Sequence, residues 1–356
     1  MKRIPPRLAL LLVAMPTRPA LAAEPMQAWA GPERPFVDAD LAFRPTSDEE
    51  YAESMSLDAE GADRVRVSAT LAATNIGMGD NSAGVRTTLK IAGKSLKSNE
   101  EPERWQRRPD GLGLRVGNTH VSGTLSEIRI EHDGKEFGYV LRFVPLVPPW
   151  RPGSGRTTFG KDKKRFYEYS LPMPLARVTG RVRSGSTWRE FSGIGAVDHS
   201  RVNLYPHEQA SRWYLFRART ENSMIQFSTF QTTEQYGAQR AGWILVAEGG
   251  RIVHQDRRLD LRLSDRRPDP KNPNYKVPWR YDFSDGDRLR GSVTGSAQTA
   301  RLEYLANMGA VKRWVVSRFA KPIAYTLQAD YQVELSSGGS RRALRGTGEM
   351  SQTFIK

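Results

Sequence analysis

Short runs in which every second residue is apolar recur along the chain. Arg64-Val-Arg-Val-Ser-Ala-Thr-Leu71 alternates polar and apolar residues, the period of a strand with one buried face. Ser126-Glu-Ile-Arg-Ile-Glu131 does the same and reaches Asp133-Gly134, a pair that favours a tight hairpin turn. Gly138 to Val144 then predicts the returning strand. In the second half, Leu175 to Val182, Trp213 to Arg219, Met224 to Phe230, Gly242 to Ala247, Arg251 to His254, Arg257 to Leu263, Leu289 to Thr294, Tyr325 to Leu335 and Met350 to Ile355 are strand-like. Ser184-Gly185, Gly249-Gly250 and Asp285-Gly286 supply turns between them. Short strands at regular spacing predict an all-β sandwich or barrel. Only Leu305 to Phe319 departs from this, as a helix or a bent strand pair.

Pro145 to Gly155 carries four prolines and two glycines and breaks the alternation. It predicts a linker or long loop over Pro148 to Lys164. The expected organisation is therefore a leader over 1–23, a first β domain over 24–165 and a second over 166–356. The leader expectation rests on three parts in order. Lys2, Arg3 and Arg7 precede the apolar run Leu8 to Met15, and Ala20-Leu21-Ala22 follows as a small-x-small cleavage pattern. That is the layout of a secretory signal peptide, cleaved near Ala22/Ala23, and it predicts export, with the periplasm as destination.

Composition narrows the chemistry. The 356 residues include 8 Trp, 12 Tyr and 13 Phe, enough to fill more than one core, and no cysteine. Thiol catalysis, cysteine-ligated metals and disulfides are thereby excluded. The formal charge of +15 falls to 15 − 4 = +11 once Lys2, Arg3, Arg7 and Arg18 leave with the leader. For an exported protein that charge points to an anionic membrane surface rather than nucleic acid; the alternative is a merely soluble basic surface. Val311 to Lys321 interleaves Lys312, Arg313 and Arg318 with Trp314 and Phe319, as a segment touching a bilayer interface does; the alternative is an ordinary barrel lid.

No Gly-rich phosphate loop, no G-x-S-x-G elbow and no metal-spaced histidine pair is present, so no cofactor or metal is implied. Gly193-Ile-Gly195 lacks the third glycine of a dinucleotide site. The five histidines are His120, His132, His199, His207 and His254. Asp198, His199 and His207 are the candidates for proton transfer; the alternative is two histidines merely hydrogen-bonded at a barrel mouth.

Five stretches carry a resemblance. Pro174-Leu-Ala-Arg-Val-Thr-Gly180, Gly193-Ile-Gly195 with Asp198-His199, Pro206-His-Glu-Gln-Ala-Ser-Arg-Trp213, Phe227-Ser-Thr with Tyr236-Gly237, and Val311-Lys-Arg-Trp-Val-Val with Lys321-Pro322 and Tyr325 resemble the survival factor 1 family. Its wider relatives include carotenoid 1,2-hydratase and AttH-like proteins. The match runs from about Pro172 to Tyr331; the first half shows only a generic β pattern. The resemblance implies two tandem lipocalin-like β-barrels and a bound hydrophobic, lipid-like ligand, sphingolipid- or isoprenoid-like. Eukaryotic members are associated with ceramide transfer, and some wider relatives act on polyenes. Three readings follow: a carrier, a hydratase, cyclase or isomerase using Asp198 or His199, and a ligand-free envelope protein.

A barrel of about eight strands can hold one small ligand. Trp213, Phe227, Phe230, Tyr236 and Trp243 are the candidate lining; the alternative is that they are core. Strand alternation sends neighbouring Arg212 and Trp213 to opposite faces, with Trp213 expected inside a barrel.

Overall fold

A computed structural model describes residues 23–76, 80–102, 104–306, 321–337 and 340–355. The expected leader up to residue 22 and the basic–aromatic segment with Lys312, Arg313, Trp314 and Arg318 lie outside them. So does almost all of the stretch 305–319, expected as a helix or a bent strand pair.

The described residues are almost entirely antiparallel strand, arranged as two curled sheets. The first has 13 strands. Its centre is the run Tyr51–Gly61, Thr187–Asn203, Arg165–Ser184 and Phe137–Pro145. From there it curls outward through Arg66–Thr74, Ser82–Ile91 and Lys94–Glu100 on one side, and through Glu127–Asp133 to Trp105–Arg107 on the other. The end strands are not paired to each other, and side chains span the seam. Glu100 accepts from the Asn118 N–H at 2.7 Å, and the Trp105 indole donates to the Asn81 carbonyl at 2.8 Å.

The second sheet has nine strands, centred on Ser223–Thr232, Ala210–Arg219, Ser340–Phe354 and Ile323–Ser337. It too is an incompletely closed barrel. A hydrogen bond between His254 and Asp285 and a 2.7 Å bond from Arg240 to the Leu261 carbonyl cross its open edge.

Alternation along the strands fills both barrels. Met55, Leu57, Leu71, Leu89, Leu141 and Phe143 are among the side chains packed inside the first; Tyr214, Phe216, Phe227, Tyr281, Phe283 and Leu327 are among those inside the second. A third core lies where the outer faces of the two sheets meet. It contains Trp29, Trp150, Phe159, Leu171, Leu175, Phe230, Tyr236 and Trp243. Fully burying each such side chain is worth about 1.5–3 kcal/mol, so the two barrels are held together by a core, not by a tether.

The Arg165–Ser184 strand serves two cores at once. Leu171 and Leu175 face the other sheet, while Met173, Ala176 and Val178 face the first barrel. Its pairing with Thr187–Asn203 shifts register between Ser170 and Met173 and again between Met173 and Ala176. Pro172 and Pro174 lie in those two intervals; proline offers no N–H to the ladder and is accommodated at bulges.

The change of sheet differs from the expected boundary at 165/166. Arg165–Ser184 and Thr187–Asn203 belong to the first sheet, and the second begins only at Ala210. The proline-rich segment also proves to be more than a linker. Arg156–Phe159 pairs with both Met26–Gln27 and Arg165–Ser184, and Trp150 and Phe159 enter the third core. The prolines interrupt the alternation without releasing the chain from the sheet, because the bulky residues between them still have a face to bury.

Gly193 and Gly195 have a packing role. A Cβ on either would come within 2.1 and 2.3 Å of the Glu60 and Asp58 carbonyls on the adjoining strand, closer than any side chain tolerates.

Candidate functional site

Asp198 and His199 are successive residues of the strand Thr187–Asn203 and therefore leave it on opposite faces. His199 turns into the end of the first barrel. Its Nε2 lies 2.9 Å from Glu53 Oε1, and its ring stacks on Phe43 with centroids 5.3 Å apart. Glu53, on Tyr51–Gly61, also accepts from the Arg44 N–H at 2.7 Å and from the Tyr51 hydroxyl. Burial alone would push the Glu53 carboxyl up, but the bonds from His199 and Tyr51 outweigh it and hold the pKa below the usual range.

Asp198 faces the second sheet. Burial, with the Asp58 carboxylate nearby, pushes its pKa up to about 7, against the pull of Arg217. Asp58 stays ionised: burial opposes this, but Arg219 and Arg217 more than compensate. Arg217 lies 3.3 Å from Asp58 and 2.9 Å from Glu349, and Arg219 also pairs with Asp58. The two arginines stand on the outer face of Ala210–Arg219, so this charged cluster joins the sheets. It leaves Asp198 as the carboxyl that can carry a proton near neutrality.

Tyr167 and Tyr169 stand beside Asp198. Burial, with the Asp198 charge adding to it, raises both phenols well above their ordinary value, so they remain neutral donors. Tyr169 stacks on Trp243 with centroids 5.3 Å apart, and Tyr167 meets Trp213 edge-on at 5.3 Å. Phe230 lies 4.8 Å from Trp213. Asp198, Tyr167, Tyr169 and Trp213 are only partly buried, whereas Phe230 and Trp243 beneath them are fully buried. The result is an aromatic layer along the junction of the sheets, partly exposed at its edge, that carries one protonatable carboxyl and two phenols. Next to it, with Tyr169 and Ser200 in its wall, is a cavity of about 490 Å³ at the end of the first barrel.

Among the expected ligand-lining aromatics, only Phe227 faces the interior of a barrel, against Phe283 at 4.7 Å. Trp213, Phe230, Tyr236 and Trp243 belong to the inter-sheet layer. Trp213 thus points the opposite way from the expectation, while the Arg212 guanidinium lies 5.3 Å from the ring of interior Phe354. Alternation sends Tyr214 and Phe216 inward and leaves Trp213 on the outer face with Arg217 and Arg219. His207 stacks on Tyr205 at the crossover between the sheets, with ring centroids 5.6 Å apart. Asp198 and His199 do not converge on one site.

Asp58, Glu53, Tyr167, Tyr169, Arg217 and Arg219 were not singled out from the sequence. A signal for the first two was available in the alternation of Glu53-Ser-Met-Ser-Leu-Asp-Ala-Glu60. For the tyrosines, neighbouring bulk gave no indication of which face would meet a second sheet.

Two curled antiparallel sheets, packed through their outer faces, give the chain a double lipocalin-like fold. Within that class the chain resembles the survival factor 1 and AttH-like proteins. No family model matches it. It is 21% identical over 301 residues to the ceramide-binding protein SVF1 of Debaryomyces hansenii, covering 77% of this chain and 78% of the relative. An AttH-type protein of Nitrosomonas europaea has a similar structure, with TM-score 0.62, 13% identity and coverage of 92% of this chain and 100% of the other. CghA, in a crystal structure with Sch210972, gives TM-score 0.58 at 13% identity, covering 88% and 94% of the two chains. Kievitone hydratase of Nectria haematococca gives 0.56 at 11% identity, covering 93% and 98%.

Proposed function

We propose that this protein binds one lipid-like molecule in a groove along the seam between its barrels rather than inside either barrel. The observation that carries this reading is the inversion of the usual lipocalin arrangement. Apart from the cavity at the end of the first, both interiors are packed with their own side chains, while partly exposed aromatic rings with polar groups run along the seam. Apolar walls with a few convergent polar groups are what a small-molecule site requires. Asp198 and the two phenols suit the hydroxyl or amide of a head region. The similarity to a ceramide-binding protein supports a ligand of this class.

Native mass spectrometry of protein purified from its own host tests this. A bound adduct, released by organic solvent and reduced in Trp213→Ala, is expected. An adduct-free protein, with no binding of added lipid, would contradict the reading.

One observation favours a second reading, turnover at the same groove. A carboxyl with a pKa of about 7 beside an aromatic layer is poised as a general acid. It can protonate a carbon–carbon double bond; water then adds to the resulting cation, and the proton released restores Asp198. The fold shared with kievitone hydratase is compatible with such chemistry. Conversion of a bound polyene that is lost in Asp198→Asn while binding persists would establish it; recovery of the ligand unchanged favours a carrier.

We further propose that the carrier works outside the cytoplasm, on the strength of the leader pattern, the +11 charge and the basic–aromatic segment 311–321. Mature protein beginning at Ala23 or Glu24 is the expected result of N-terminal sequencing. An intact Met1 on protein recovered from the host would contradict export.

A further inference from the structure

The cavity beside the groove has a charge imbalance that a neutral lipid does not require. Six cationic side chains line it: Arg34, Arg44, Arg151, Arg156, Lys163 and Arg201. Only three carboxylates do, Asp40, Glu53 and Glu168, and all three are already engaged. Arg34 and Arg151 hold Asp40, each at 2.8 Å. Arg156 holds Glu168 at 3.0 Å, and Arg201 holds it from the other side at 2.5 Å. Glu53 is taken by His199 and Tyr51.

Among the described residues, the side chains of Arg44 and Lys163 have no carboxylate partner, although the Arg44 guanidinium donates to the Ala39 carbonyl at 2.7 Å. Arg151 is buried to all but 9% of its side chain, and its Nε lacks a hydrogen-bond acceptor. Arg34, Arg44 and Lys163 are exposed around the cavity, while Arg151 is buried with an Nε–H left to donate; an entering oxyanion would meet that buried donor, and guanidinium forks match its geometry. The cavity wall includes Tyr169, one ring of the aromatic layer, and Ser200.

We propose that this cavity seats the anionic head of the bound amphiphile, a carboxylate or a phosphate monoester, with its alkyl chain passing Tyr169 into the groove. The assignment rests on the groove-binding reading above and narrows it from lipid-like ligands to anionic single-headed amphiphiles. Ser200 stands beside Tyr169 at the boundary between head and chain.

Binding of decyl phosphate, decanol and inorganic phosphate, measured by calorimetry on the mature chain, tests the assignment. Decyl phosphate is expected to bind at least about tenfold more tightly than either of the others, and less tightly as salt is added. Arg44→Gln combined with Lys163→Gln removes two cations that hold no carboxylate, so the fold is expected to persist by circular dichroism. That double variant should lose at least about tenfold in affinity for decyl phosphate and none for decanol. Trp213→Ala should weaken both alkyl ligands.

Equal binding of decanol and decyl phosphate, unchanged in the double variant, overturns the anionic head while leaving the groove intact. Inorganic phosphate binding as tightly as decyl phosphate overturns it in favour of a simple anion site. Failure of both alkyl ligands to bind removes the groove reading and this assignment with it.

Discussion

Asp198 and His199 share a peptide bond and serve different compartments: His199 is buried against Glu53 at 2.9 Å inside the first barrel, and Asp198 stands on the opposite face, at the junction of the two sheets. One strand therefore carries a buried hydrogen-bonded His–Glu pair on one side and a titratable carboxyl on the other. The two groups impose opposite pH dependences.

The Asp198 carboxyl is raised to about 7, so the folded protein holds a proton there that the unfolded chain, near 3.8, releases. Its contribution to stability is complete below about 3.8 and is lost as pH rises through about 7. Asp198→Asn should leave stability unchanged at pH 4 and increase it by on the order of 2 kcal/mol at pH 8. Urea midpoints at the two pH values check this; a uniform loss at both would show that Asp198 is an ordinary ionised partner of the arginines.

Glu53 behaves in the opposite sense. Its pKa is lowered by His199 and Tyr51 against the effect of burial. It therefore stabilises the fold above about 4.5, and this is lost as pH falls through its lower folded value. Glu53→Ala breaks a buried pair and should cost about 3–5 kcal/mol at pH 7, with the difference from wild type shrinking in acid. Thermal midpoints between pH 3 and 7 measure it. A cost that does not change with pH would show that packing around Tyr51 and Phe43, not charge, is what the substitution removes.

The tryptophans of the seam should separate stability from binding. Trp243 is 1% exposed, and Trp243→Ala should cost about 3–5 kcal/mol, as large core truncations do. Trp213 is only partly buried. Trp213→Ala should cost less than half as much yet lower ligand occupancy more than any other single aromatic change in the groove. Chemical denaturation and native mass spectrometry on the same preparations provide both readings. Equal stability losses with ligand retained would place Trp213 in the core alone.

The strands, their turns and the all-β class were legible because most strands bury one face and so alternate. The seam was not. In Ser223–Thr232 both faces are buried, against the barrel on one side and the other sheet on the other. Alternation then disappears, and nothing in the sequence distinguishes Phe227, which faces inward, from Phe230, which faces the seam. Trp213 shares a face with Leu215, Arg217 and Arg219 by alternation, but that this charged face meets a second sheet is visible only in the structure. Asp198 was found as a titratable residue, but its raised pKa depends on Asp58, 140 positions earlier in the numbering (198 − 58) and on a different strand of the same sheet.

The most direct measurement of where the ligand lies is covalent mapping with an alkyl diazirine phosphate, irradiated on the protein and located by peptide mass spectrometry. Adducts are expected on the groove face, at Tyr167, Tyr169 and Trp213, and competed away by decyl phosphate. Adducts on Phe227, Tyr281 or Phe283 would place the ligand inside the second barrel and contradict the account.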